Sequence, residues 1–139
     1  MEASKKRLVW QFCLFLVVFV VAFFGTKFLI PKIVPNYELE KVSAGLNKKG
    51  AVMVDKETRL DNSSVSGDTL VYNYTLVNVD SKAAGFSAQG AEQFIQQHAQ
   101  QNLDNSPNMD YFRKKKVFLK YIYKDKNSKP LFNFTINAK

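Results

Sequence analysis

The chain has 139 residues and a formal net charge of +8, but five of its 20 basic side chains and one of its 12 acids precede residue 36. The other 104 residues hold 15 bases and 11 acids, a mild excess that excludes the densely basic surface of a nucleic-acid binder and suits a domain beside an anionic membrane. The only cysteine, Cys13, falls in an apolar run, so the domain holds no disulfide and depends on a single hydrophobic core.

Leu8 to Phe24 is apolar at every position except Gln11. As a helix with a rise of roughly 1.5 Å per residue, it nearly matches the ~30 Å bilayer core once Gly25 and Thr26 are added. Lys5, Lys6 and Arg7 precede it, which predicts a cytoplasmic N-terminus with the bulk of the chain outside. Trp10 is placed at the headgroup level, and Lys27 snorkels to the opposite interface. A cleaved signal is the alternative. Its best cut follows Ala22, but Phe23 and Phe24 would then begin the mature chain. The predicted organisation is a cytoplasmic segment 1–7, a transmembrane signal anchor 8–30, a neck 31–36 stiffened by Pro31 and Pro35, and an extracytoplasmic domain 37–139.

Within that domain Tyr37 to Lys48 reads as a helix, with Tyr37, Leu39, Val42 and Leu46 along one side and a stop at Gly50. Ala51 to Val54 is a short strand. The charged run Asp55 to Asp61 follows, and Asn62 to Asp68 reads as a loop. Thr69 to Asn78 alternates with a period of two, placing Leu70, Tyr72, Tyr74 and Leu76 on one face. Ser87 to Leu103 is a second helix with Ser87 as N-cap; Ala91, Phe94, Ile95 and His98 share a side. Lys115 to Lys124 is a strand with Val117, Leu119, Tyr121 and Tyr123 in line. Pro130 to Asn137 returns as the other arm of a hairpin. The predicted fold is α+β: one N-terminal transmembrane helix, then a small antiparallel sheet of three or four strands packed with two helices on one face.

Few residues have a pattern that carries chemistry. His98 stands alone among apolar neighbours. Asp55, Glu57 and Asp61 could act as paired carboxylates or hold a cation, but Lys56 and Arg59 lie between them and neutralise the cluster, which makes a self-paired edge the simpler reading. Arg113, Lys114, Lys115 and Lys116 form the sharpest charge feature, a solvated strand entry or a surface for a partner or for lipid headgroups. No glycine loop cradles a phosphate, no nucleophile elbow surrounds a serine, and no cofactor is expected.

The run Met53 to Asp61, MVDKETRLD, followed by Val71 to Asn78, VYNYTLVN, resembles a group of small bacterial exported or membrane-anchored proteins. They share a helix and a closing hairpin that ends in a Tyr-x-Tyr-x-Asp-like strand, here Tyr121, Tyr123 and Asp125. The cysteine pair of that group is absent. The resemblance spans residues 50–139 and implies a bacterial envelope location without an assigned reaction. The expectation is a non-enzymatic inner-membrane protein whose periplasmic domain binds an envelope protein as an accessory, inhibitor or immunity factor. The alternatives are a cleaved soluble periplasmic protein and a membrane-tethered hydrolase using the carboxylates with His98.

Overall fold

The computed structural model describes residues 36–139; the predicted span 8–30, Trp10, Lys27 and residues 31–35 of the neck lie outside the described residues. Among those described, no helix is long and apolar enough to cross a membrane. The order is α1 (Tyr37–Asn47), β1 (Val52–Met53), β2 (Thr58–Ser66), β3 (Thr69–Leu76), α2 (Ala88–Asn105), a 3-10 turn (Pro107–Met109), α3 (Asp110–Lys115), β4 (Phe118–Lys124) and β5 (Pro130–Ile136). The strands form one sheet in the order β1-β2-β3-β4-β5.

The α+β class holds, but the sheet has five strands and is mixed, with three α-helices where two were expected. β3 and β4 run parallel, Thr69 opposite Phe118 through Thr75 opposite Lys124, while every other pair is antiparallel. A parallel pair cannot be closed by a tight turn; the segment between Leu76 and Phe118, with α2 and α3, makes the crossover.

β2 is the strand that the sequence concealed, since Asp55 to Asp68 reads as a charged run and a loop. Two features break its alternation. Asp61 is the extra residue of a bulge between Leu60 and Asn62, which resets the period. Beyond it a polar residue, Ser63, faces inward opposite Tyr72. Its burial is offset by hydrogen bonding: the Ser63 and Ser43 hydroxyls are 2.9 Å apart, Ser63 N–H donates to Asn47 Oδ1 at 2.7 Å, and Asn47 Nδ2 donates to the Ser63 carbonyl at 2.8 Å. The Asn47 amide thus meets the backbone edge of β2 as a neighbouring strand would, and fixes α1 to the sheet. Gly67, at φ 57, opens the two-residue turn into β3, a position that favours glycine.

The inner face is built in rows across β3, β4 and β5. Leu70, Leu119 and Ile136 form an aliphatic row. Tyr72, Tyr121 and Phe134 stack with ring centroids 5.2 and 5.0 Å apart. Tyr74, Tyr123 and Phe132 stack at 5.1 and 4.9 Å. Burial pushes the Tyr74 phenol up to about 12 and raises Tyr72, Tyr121 and Tyr123 as well, so the rings stay neutral throughout the physiological range.

The helices close this face. α2 begins at the expected N-cap, where Ser87 Oγ accepts from Gly90 N–H at 3.1 Å. Its inward line is Ala88, Ala91, Ile95, Ala99 and Leu103, whereas Phe94 is 63% exposed and His98 lies beside it in solvent. Of the side predicted from Ala91, Phe94, Ile95 and His98, Ala91 and Ile95 pack on the core, while Phe94 and His98 turn out to solvent. The aromatic rows already fill the space over the sheet, and alanines let the helix approach them. α3 contributes Phe112, and α1 contributes Leu39. Leu70, Leu103 and Leu119 have no exposed area. Leu119→Ala is therefore expected to lower stability by about 2–5 kcal/mol, read as a shift in the urea midpoint. Asn47→Ala should cost about 1–3 kcal/mol by the same measurement, because it strips both backbone groups of Ser63.

Candidate functional site

The residues with chemical potential are dispersed, and most are committed to neighbours. Asp55 turns the chain between β1 and β2, accepting N–H bonds from Glu57 and Thr58 at 2.7 Å each. These donors, the Glu57 amide first, hold its carboxyl below the ordinary range. Asp61 accepts from Arg59 Nε at 2.7 Å and from the Thr75 hydroxyl at 2.6 Å. His98 approaches Phe94 edge-on, with ring centroids 4.4 Å apart. None of the three carboxylates is paired with His98, and among the described residues no group of three His, Cys, Asp or Glu side chains could hold a metal ion.

Arg113 to Lys116 do not enter a strand. Arg113, Lys114 and Lys115 end α3, and Lys116 caps it in the left-handed region at φ 53. The sequence YFRKK is helical because Asp110 starts the turn and pairs with Lys114 at 2.6 Å one turn on; the Lys114 bond, first among its causes, lowers the Asp110 carboxyl. Arg113 Nη1 donates to the carbonyls of Leu103 and Ser106 at 2.6 and 2.8 Å, satisfying the C-terminal end of α2. Lys115 pairs with Glu38 at 3.3 Å. The cluster thus ties α3 to α2 and α1, and two acids, Asp110 and Glu38, offset half of its four positive charges.

Asp125, singled out only as the end of the Tyr-x-Tyr-x-Asp run, is fully buried. Its Oδ1 accepts N–H bonds from Asn127 and Lys129 at 2.8 and 2.9 Å, and its Oδ2 accepts from Ser81 N–H at 3.0 Å. One carboxylate thereby shapes the β4–β5 turn and ties it to the segment leaving β3, where Lys126 N–H also reaches the Val79 carbonyl at 2.9 Å.

Among the described residues, the outer face of the sheet is a surface that no helix covers. The register places four rows on it: Ser66, Thr69 and Phe118; then Ser64, Val71, Lys120 and Thr135; then Asn62, Asn73, Ile122 and Asn133; then Arg59, Thr75, Lys124 and Pro130. All are exposed or half-buried except Thr75, and Phe118 is 43% exposed. The buried apolar helix residues, Leu39, Leu103 and Phe112, all belong to the cluster on the other face. Sequence alternation gave the β4 half of this surface, since Phe118, Lys120 and Ile122 fall opposite the tyrosines; the β2 contribution was hidden with that strand.

The architecture is a mixed sheet layered on one side by helices. By its sequence the chain belongs to the family described as a domain of unknown function (DUF8479), whose model matches residues 37–132. A candidate secreted protein of Pseudomonas aeruginosa has a similar structure, with a TM-score of 0.57 and 13% identity over 73% of this chain and 87% of that one. The pilotin EpsS of the Vibrio vulnificus type 2 secretion system is similar at a TM-score of 0.51 and 9% identity, over 73% and 82% of the two chains. At these identities the likeness is one of fold. No curated protein matches the sequence.

Asp125 has a pH signature. Burial pushes its carboxyl up, but the N–H bonds from Lys129, Ser81 and Asn127 outweigh this and hold it well below the ordinary range. A lowered folded-state value contributes stability that is complete above the unfolded value of about 3.9. That contribution fades as pH falls from there towards the folded value. Asp125→Asn is expected to be less stable than the parent at pH 7 and to lose less on acidification from pH ~5 to ~2, read from thermal midpoints. A residual slope persists from Asp55 and Asp110, whose values are also lowered.

Proposed function

We propose that the chain is a small envelope protein of a bacterial inner membrane. Residues 8–30 anchor it with the N-terminus cytoplasmic, and the periplasmic domain binds a protein partner through the outer face of its sheet. The observation that carries this reading is that face: apolar Phe118, Val71 and Ile122 stand in rows with Lys120 and Lys124, and no helix residue buried in the core cluster covers them. A half-solvated sheet is ordinary in itself. Apolar side chains flanked by basic ones without an ion pair offer a partner area to bury and a charge that steers it. The fold likeness to a candidate secreted protein and to a secretion-system pilotin supports an exported role for a domain of this shape. The dispersal of Asp55, Glu57, Asp61 and His98 favours binding over hydrolysis, and the domain is proposed to act without a cofactor.

Two measurements test the proposal. With a C-terminal tag, protease added to intact spheroplasts is expected to digest a full-length, membrane-bound protein; protection until the membrane is opened would place the domain on the cytoplasmic side and overturn the orientation. A photo-crosslinker at Thr135, on the outer face, is expected to join an envelope protein in cells, while one at Gln97, on the solvent side of α2, is not. Equal yields from both positions would sink the assignment of the surface.

A further inference from the structure

Resting on the partner-binding reading, we infer that the outer face takes an acidic amphipathic helix of the partner. The charge balance of the face selects the sign. Its one acid, Asp61, is consumed by Arg59 and Thr75. Lys120 and Lys124 have no ion pair among the described residues. They stand on either side of Ile122 along β4, with Val71 and Phe118 adjoining.

The spacing selects the shape. Four residues of strand separate the lysines by about 13 Å. Carboxylates seven or eight residues apart on a helix are separated by about 10–12 Å, which flexible lysine side chains accommodate. Between two such carboxylates a helix presents apolar residues to Ile122, and its apolar stripe, continued at i, i+3 and i+4, reaches Val71 beside Lys120 and Phe118 beyond it. An added strand would need a free sheet edge, whereas the groups offered here are side chains on a face; helices already solve the same packing problem on the inner face. Four strands and four rows span about 15 Å by 20 Å, the footprint of a helix of about 14 residues. That area, on the order of 300 Å², is well below the ~800 Å² per partner of a stable complex. A contact of this size belongs to a transient complex.

The test uses the purified full-length chain in neutral detergent with a photo-crosslinker at Thr135. The probes are three biotinylated peptides of about 14 residues that share one leucine stripe and differ only in flanks of Glu, Gln or Lys. The Glu peptide is expected to cross-link saturably, the Gln peptide several-fold more weakly, and the Lys peptide not at all. The double variant Lys120→Glu, Lys124→Glu, checked by circular dichroism for an unchanged fold, should weaken the Glu peptide roughly ten-fold and capture the Lys peptide instead. Indifference to peptide charge would overturn the proposal, and so would a preference that survives the charge reversal. Cross-linking chiefly to a second copy, or to added phosphatidylglycerol vesicles, would overturn it in favour of that occupant. If Thr135 still cross-links an envelope protein in cells while the purified chain ignores peptide charge, the acidic helix fails and the partner-binding reading stands. If it cross-links no envelope protein in cells, that reading fails first.

Discussion

The parallel alignment of β3 with β4 is the constraint on which the rest of the domain depends. It sets Leu70 beside Leu119, Tyr72 beside Tyr121 and Tyr74 beside Tyr123, and β5 completes each row with Ile136, Phe134 and Phe132. A slip of one residue would turn every ring to the outer face. The same alignment dictates the long connection between the strands, and that connection supplies α2 and α3, which cover the rows. Core, helix placement and an outer face left uncovered by the described helices thus follow from a single pairing.

Polar fixtures hold this arrangement where apolar packing is nondirectional. Asp125 gathers three backbone donors from two segments far apart in sequence. Asn47 and Ser43 secure α1 to the edge of β2 beyond the end of β1. Arg113 closes the C-terminal end of α2. In each case the polar group is satisfied by backbone or by another side chain, and no buried side-chain nitrogen or oxygen among the described residues lacks a partner. This is the condition under which burying polarity specifies a fold without a large energetic cost.

What could be read from the sequence followed from how regular each segment is. β3 and β4 alternate without interruption, as does β5 from Phe132 to Ile136 beyond its irregular start, and their inward residues and the β4–β5 hairpin are legible. Ser87 announces α2 because a serine before a helical run has one common use. β2 escaped because its bulge at Asp61 and its inward Ser63 remove the two cues that mark a strand, unbroken period and apolar side chains. The parallel pairing escaped because strand patterns carry no direction. α3 stays hidden because its six residues are too few to show a helical period, and its basic end, Arg113 to Lys116, reads as the entry to a strand. Of the functional candidates, the basic cluster and the acidic run were visible as charge, but the partners that occupy them are distant in sequence, such as Glu38 for Lys115 and Thr75 for Asp61.

That distinction between committed and uncommitted charge separates structure from recognition here. Density of like charge makes Arg113 to Lys116 the conspicuous feature of the sequence, yet three of the four have ion-pair partners, and Arg113 also bonds two carbonyls. A charge already paired has little left to give a ligand, because binding must first break the existing bond. Lys120 and Lys124 are inconspicuous in sequence, spread through a strand and separated by apolar residues. The sheet gathers them with Val71 and Phe118 on one surface and leaves their ammonium groups without a counter-charge among the described residues. A partner that supplies the counter-charge gains attraction without displacing a bond, and it covers apolar area in the same step. This makes the strand lysines the better foundation for recognition than the helical cluster.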